Sequence, residues 1–310
     1  VLRISMTYLL KLLQLRRSEV PRLGLAAALF FLVQVDDGIV KSVASAVFNI
    51  RAGVDKLPLM YTWIALLFSL SMILLSWLTA KVARQRLLLG MMFGVAVVFG
   101  ANAGMLFLES IGSVELAADY YSFLFVSSEI ARTLMNFQIW IVAGGICYVS
   151  RAKGFFPLLA SSAVLGDIAG GFAVRFLGSV LDSYQLYGLA MLNMILVLVL
   201  LRLLMRRYFV AQQEDEESQA VGLGENLQYF SRSYYLLLLF ALSLIIFAVY
   251  TTVHYGFNVV AYDHFQNAND SEAKITEFFG LFFGWTGLAT LFVTTFLLQR
   301  VLRWIGTGNV

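Results

Sequence analysis

The chain has 310 residues, of which 60% are hydrophobic and only 13% are charged. A soluble domain of this size carries about 25% charged residues, so the composition excludes an ordinary soluble protein. The net charge of +3 is small and scattered, which does not favour nucleic-acid binding. The single cysteine, Cys147, supports neither a disulfide framework nor a thiolate metal site.

Residues 1–21 predict an amphipathic helix that lies at the membrane interface and leads into the first span. The segment lacks the small-residue cleavage site of a signal peptide, and its basic residues, with the one that follows, are Arg3, Lys11, Arg16, Arg17 and Arg22. Since the sequence opens on Val1 and stops at Val310 after a basic turn, we expect it to be part of a longer chain.

Apolar runs long enough to cross a hydrocarbon core of about 30 Å recur along the chain. They predict about eight membrane-spanning helices, at residues 22–49, 57–80, 87–108, 118–149, 155–181, 184–208, 233–262 and 275–300. Pro21, Pro58 and Pro157 each fall in the first turn of an expected helix, where the missing N–H costs no hydrogen bond. We therefore expect an all-α polytopic membrane protein.

Charge predicts the orientation of these spans. Five basic segments fall on one side of the membrane, namely residues 1–21, Lys81–Arg86, Arg151–Lys153, Arg202–Arg207 and Arg300–Arg303. The opposite loops hold more acidic residues (Glu109, Glu115, Asp119, Asp182, Asp270, Glu272 and Glu277) than basic ones (Arg51, Lys56 and Lys274). The positive-inside rule therefore predicts that the N-terminus lies in the cytoplasm.

One long polar stretch divides the chain. Residues 209–232 include the acidic run Glu214–Glu217 and predict a flexible cytoplasmic linker. A linker after six spans is typical of a transporter built from two six-helix halves. Residues 22–208 then form the first half, and residues 233–310 hold the first two helices of the second.

The first span carries Gln34, Asp37, Lys41 and Ser45 at helical spacing on one face, with Asp36 about a quarter turn away. A charge at the bilayer centre costs at least about 2.5–3.5 kcal/mol, so each needs an explanation. Asp37 and Lys41 could neutralise each other at i, i+4. Alternatively the stripe lines a cavity that meets a charged solute, which is the interpretation we favour.

The fourth span repeats this arrangement with Glu129, Arg132 and Asn136 on one face. Glu129 and Arg132 can pair at i, i+3, so a structural role and a functional role both stay open. In the fifth span Asp167 falls in mid-membrane. Gly166 in the same span, with two further glycines, indicates close helix packing.

The seventh span carries a polar stripe without carboxylates or lysines: Thr251, His254, Tyr255, Asn258 and Tyr262. His254 is a candidate proton relay or a hydrogen-bonded core residue. Enzyme motifs such as GxxxxGK[ST], HExxH and GxSxG are absent from the sequence. We therefore expect no enzymatic activity, no cofactor and no metal site.

Three stretches resemble the nucleotide transporters of the ATP:ADP antiporter type and their bacterial relatives. They are Asn267–Asp270 with Trp285–Gly287, Thr290–Phe292, Arg303 and Gly306; Val40–Val43 with Gly53–Pro58; and Glu129 with Trp140 and Ala152–Phe156. The resemblance implies a major-facilitator-like fold of about twelve helices, of which about eight are present. It also implies nucleotide exchange that uses membrane-embedded basic and acidic residues, and a location in a bacterial inner membrane or an organelle inner envelope.

Lys41 and Glu129 match family positions of that kind. The sequence departs from the family at His254, which replaces a glutamate, at Asn258, which replaces a lysine, and at Gly38 and Ile39, near which the exchangers carry a basic and an acidic residue. Fewer cations weaken binding of a tetra-anionic ligand, because each lost charge-assisted contact costs about 1.5–3 kcal/mol.

The expected function is secondary transport of an organic anion, with nucleotides among the candidates. The expected substrate-binding residues are Asp37, Lys41, Glu129, Arg132, Asp167, His254 and Asn258. The expected partners are membrane lipid and a small anionic substrate, with no nucleic acid. The alternative is a transport-inactive relative that serves as a structural subunit or sensor among protein partners in a larger membrane assembly.

Overall fold

The computed structural model describes residues 20–79, 81–147, 152–208 and 231–293. This part of the chain forms eight long α-helices and no strand. They are α1 (Val20–Phe48), α2 (Leu57–Thr79), α3 (Arg84–Ser110), α4 (Ala118–Ile146), α5 (Ala152–Leu177), α6 (Ser183–Tyr208), α7 (Tyr234–Phe265) and α8 (Ser271–Phe292). Each expected span corresponds to one helix, so the all-α prediction is confirmed.

A short irregular connection turns the chain between α1 and α2. It consists of a π-helical turn, Asn49–Gly53, and a 3-10 turn, Val54–Lys56. Gly53 takes a φ of +95°, which a side chain would disfavour. Most of the expected interfacial helix (residues 1–19), most of the expected linker (209–230) and the last basic turn (294–310) lie outside the described residues.

Six described segments are long and apolar enough to cross a membrane. One of them runs from Val20 to Thr79 and contains both α1 and α2, and the others coincide with α3 and with α5 to α8. Helix α4 is not among them, although it has 29 residues. Its polar residues, among them Glu129, Arg132 and Asn136, lower its hydropathy, and the side chains of Arg132 and Asn136 contact α1.

Apolar side chains cover much of the outer surface of the bundle. Large apolar residues of α2 and α7 are exposed, among them Trp63, Leu70, Trp77, Leu238, Ile245 and Phe247. A soluble protein rarely exposes so continuous an apolar surface, whereas a bilayer solvates it. The exposed faces therefore support a multi-pass membrane protein.

Helix α5 is packed directly between α1 and α8. A Cβ atom at Gly166 would lie 2.3 Å from the carbonyl oxygen of Phe31 on α1, and one at Gly171 would lie 2.5 Å from the backbone nitrogen of Gly284 on α8. Small residues allow such backbone contact between membrane helices. The predicted packing role of the α5 glycines is confirmed, and it brings α8 against the first six helices.

The helix ends alternate between the two ends of the bundle. Polar side chains from the turn after α1, from the end of α3 and from the starts of α4, α6 and α8 meet at one end of the bundle. We call it the Arg51 end, and its residues are Arg51, Glu109, Tyr121, Ser183 and Glu272. At the other end, Arg84 near the start of α3 donates to the carbonyl oxygen of Ile141 near the end of α4. The helix ends therefore alternate in the same order as the basic and acidic segments of the sequence.

Candidate functional site

The polar faces of α1 and α4 are joined by an ion pair between Asp37 and Arg132. The Nε and Nη2 groups of Arg132 each donate to one carboxylate oxygen of Asp37, at 3.1 Å in both cases. Asn136 Nδ2 donates to the same carboxylate at 2.7 Å, and Gln34 Nε2 donates to Asn136 Oδ1 at 2.7 Å. The carboxylate of Asp37 is therefore held by three donor groups from α4.

Glu129 is the second anionic partner of Arg132. Its carboxylate accepts a hydrogen bond from Nη1 of Arg132, so the expected i, i+3 pairing is confirmed. The alternative in which Asp37 and Lys41 neutralise each other is wrong. A planar guanidinium offers a carboxylate two parallel N–H donors, which a single ammonium group on a flexible stem does not match.

Lys41 is half-buried between α1 and α8. Within the described residues no carboxylate oxygen lies within 4.0 Å of its ammonium nitrogen. That nitrogen instead lies 3.7 Å from the centroid of the Phe283 ring on α8, in a cation–π contact. Lys41 is thus a cation inside the helix bundle whose direct contact is an aromatic ring.

Asp167 on α5 is the other charged residue of the site without an ion-pair partner in the described part of the chain. It is half-buried, and Asp37, Lys41 and Arg132 all act on it electrostatically. Among the described residues, the site therefore contains two cations, Lys41 and Arg132. It also contains three carboxylates, those of Asp37, Glu129 and Asp167.

His254 and Asn258 join α7 to the first half by hydrogen bonds. The hydroxyl of Tyr61 on α2 lies 2.7 Å from Nδ1 of His254, and Nδ2 of Asn49 donates to Oδ1 of Asn258 at 2.7 Å. Asn258 Nδ2 also donates to the carbonyl oxygen of His254 at 2.7 Å. These two residues lie at the junction between α7 and the first half, outside the ion-paired cluster of α1 and α4.

A second polar cluster contains residues that are far apart in the sequence. Arg51 Nη1 lies 2.5 Å from a carboxylate oxygen of Glu109 on α3, and Arg51 Nε lies 2.6 Å from one of Glu272 on α8. Tyr121 donates to Glu109, and Ser183 Oγ donates to Glu272 at 2.5 Å. We call these five residues the Arg51 cluster.

A further ion pair, between Arg175 on α5 and Glu277 on α8, lies beside this cluster. Two cavities of about 430 and 350 Å³ flank the contact between Arg51 and Glu272. The signal that could have identified the cluster was Arg51 itself, one of few basic residues on a side rich in carboxylates. Sequence order alone did not say which carboxylates it reaches.

Comparisons of the chain with models of protein families, with curated proteins and with solved structures give no match. What characterises the candidate site is its geometry. That geometry comprises an ion-paired core on α1 and α4, two charged residues that lack an ion-pair partner among the described residues, and hydrogen-bonded polar residues where α7 meets α1 and α2. No group of three metal-ligating side chains occurs in residues 20–79, 81–147, 152–208 and 231–293.

Proposed function

We propose that this chain forms part of a secondary transporter that moves an organic anion by alternating access, in the manner of the nucleotide exchangers that it resembles. The observation that carries the proposal is Lys41. An ammonium group inside a helix bundle is costly unless an anion or a polar group compensates it. Its contact with Phe283 leaves the ammonium available to a bound anion at the boundary between the first half and α8.

Arg132 supplies the conformational response to that anion. Its guanidinium is already occupied by Asp37 and Glu129, so an incoming anion meets Lys41 first. An anion that then approaches Arg132 competes with Asp37 for the same donors. When Arg132 exchanges Asp37 for the anion, the contact between α1 and α4 changes. Substrate binding is then coupled to helix packing, as a coupled transporter requires.

The ion pairs at the Arg51 end provide a contact that rocking of the halves would break. Arg51 and Glu272 are 32% and 20% exposed, whereas Arg132 and Asp37 are both 11% exposed. Exposed pairs are worth at most about 1 kcal/mol, so they can open at modest cost. With the N-terminus in the cytoplasm, as the basic loops predict, the Arg51 end faces the outside and is closed in this conformation.

The charge of the site favours an anion of low charge over a nucleoside triphosphate. The described site residues carry two cations against three carboxylates, and a tetra-anionic ligand needs several cations in a cavity of low dielectric constant. A monocarboxylate or a phosphate monoester fits this balance better. Nucleotides remain candidate substrates because the sequence resembles the nucleotide exchangers.

The test is counterflow into proteoliposomes that contain the purified full-length protein. Labelled ATP, ADP, a phosphate monoester and a monocarboxylate serve as probes. We expect saturable uptake of at least one probe, and we expect Lys41→Ala to reduce it at least about tenfold, since one lost charge-assisted contact is worth about 1.5–3 kcal/mol. Lys56→Ala removes an exposed lysine beyond the end of α1 and is the matched control.

The second candidate is a transport-inactive subunit or sensor in a membrane assembly. It is favoured by the hydrogen bonds that occupy His254 and Asn258, and by the neutralisation of Arg132 within the protein. This candidate predicts stoichiometric protein partners on purification and no saturable flux of any probe. Uptake that is indifferent to Lys41→Ala contradicts the transport mechanism described above.

A further inference from the structure

Asp36 and its neighbour Asp37 differ in the direction of their side chains, in their exposure to solvent and in their partners. Successive residues of an α-helix point about 100° apart, so the two carboxyl groups lie on different faces of α1. The side chain of Asp37 faces α4 and is ion-paired, whereas Asp36 is completely buried. Neither oxygen of Asp36 has a hydrogen-bond partner within the described residues.

Among the residues that the structure describes, no cation forms an ion pair with Asp36. The side-chain amide of Asn193 on α6 is close enough to interact with the carboxyl group of Asp36, but no contact between the two side chains has the geometry of a hydrogen bond, and Nδ2 of Asn193 donates to the carbonyl oxygen of Leu32 at 2.9 Å. Asp37 is the titratable group that acts on Asp36, with the same sign of charge. The charged residues of the other helices packed against α1 interact elsewhere. Arg132 on α4 pairs with Asp37 and Glu129, and Arg175 on α5 pairs with Glu277 on α8. Asp167 on α5 has no ion-pair partner among the described residues and interacts at longer range with Asp37, Lys41 and Arg132.

An ionised carboxylate with no partner is strongly disfavoured in such a site, whereas a protonated carboxyl group is neutral. The proton on Asp36 cannot exchange with water in this conformation, because the residue is completely shielded from solvent. Exchange therefore requires another conformation, in which water reaches the contact between α1 and α6. Proton exchange is thereby limited to a different conformational state, as coupled transport demands of a driving ion.

We propose that Asp36 is the proton-binding site that couples anion transport to a proton gradient. The inference rests on the proposed transport function. The carboxyl group takes one proton from water on one side of the membrane and releases it to water on the other, and no other bond changes. Lys41 lies on the same helix as Asp36, so a movement of α1 displaces both the anion-binding ammonium group and the proton-binding carboxyl group.

The first test needs no substrate. Infrared spectra of the purified full-length protein contain a carbonyl stretching band for each protonated carboxyl group. We expect a band that survives neutral pH, that is absent from Asp36→Asn and that is retained in Asp55→Asn, which removes an exposed carboxylate. The asparagine amide matches the neutral acid in shape, and a thermal melt checks that the variant is folded. Persistence of the band in Asp36→Asn overturns the assignment.

The second test uses the probe that shows saturable counterflow among ATP, ADP, the phosphate monoester and the monocarboxylate. We expect an imposed inward proton gradient to raise its uptake several-fold in the wild type and to have no effect in Asp36→Asn. An equal response of both proteins overturns the proton-coupling role, and so does an indifferent wild type. Absence of flux for every probe contradicts the proposed transport function instead, and the infrared band still decides whether Asp36 holds a proton.

Discussion

The ammonium nitrogen of Lys41 lies 3.7 Å from the centroid of the Phe283 ring, and this contact joins the first helix of the bundle to the last described one. Within the described part of the chain, the ammonium group of Lys41 is therefore in contact with an aromatic ring and not with a carboxylate that would neutralise its charge. Asp37, four residues earlier on the same helix, is engaged by Arg132. An anion attracted by Lys41 would therefore contact both α1 and α8, the two elements that the proposed alternating access moves relative to each other.

The contact between Lys41 and Phe283 predicts a measurable coupling energy. Cation–π interactions range from about 0.5 to 2 kcal/mol, with the larger values in desolvated sites. In a double-mutant cycle of Lys41→Met and Phe283→Leu, we expect a coupling within that range, measured from unfolding free energies in detergent. Phe282→Leu changes the adjacent, exposed phenylalanine and should show no coupling to Lys41→Met. Equal couplings for both phenylalanines would contradict the contact.

Removal of Arg132 should be strongly destabilising. Breaking a buried ion pair by deletion of one partner costs about 3–5 kcal/mol, because the remaining charge is left uncompensated. We expect a loss of this size for Arg132→Ala and partial recovery in Arg132→Ala with Asp37→Asn, since the second change removes one orphaned carboxylate. Reversible unfolding followed by circular dichroism measures both. Arg202→Ala, at an exposed position of α6, is the control and should change stability little.

The packing of α5 against α8 predicts a sharp difference between two glycines. A Cβ at Gly171 would lie 2.5 Å from backbone of α8, whereas a Cβ at Gly94 on α3 would meet nothing within 4 Å. We expect Gly171→Ala to cost about 1–3 kcal/mol through overpacking. Gly94→Ala should be neutral or should stabilise α3 by up to about 1 kcal/mol. Equal thermal stabilities of the two variants would contradict the close approach of α5 and α8.

Loss of Arg51 should loosen the Arg51 end of the bundle. After Cys147→Ser, spin labels at Ser110→Cys and Ala273→Cys report the distance between the end of α3 and the start of α8. We expect Arg51→Gln to broaden and lengthen that distribution, because one side chain holds Glu109 and Glu272 together. High salt should have a similar but smaller effect on the wild type, since these exposed pairs are screened.

The control for this measurement is Lys56→Gln, which removes an exposed cation near the same end of the bundle. Its distance distribution should match that of the wild type. A distribution in Arg51→Gln that is also unchanged would mean that glycine packing along α5, rather than the Arg51 cluster, determines how α8 sits.

Within the described residues, the helices and their polar faces were predictable from the sequence. Helical periodicity is a local property, so residues four apart share a face wherever the helix packs, and an apolar run of sufficient length predicts a span. The stripe of Asp37 and Lys41 and the pairing of Glu129 with Arg132 belong to this class. The spans that contain them differ from the observed helices only by a few residues at the ends.

The partners of those faces were decided by the tertiary structure alone. Whether Asp37 meets Lys41 or Arg132 depends on which helix packs against α1, and contact between helices distant in sequence leaves no periodic pattern. The same reason explains why the sequence does not pair Arg51 with Glu272, which lies 221 residues further along the chain. The sequence by itself determined an all-helical chain with charges inside its spans. Helix packing determined which charged residues form ion pairs. It also determined that Lys41 contacts an aromatic ring and that the carboxyl group of Asp36 is shielded from water.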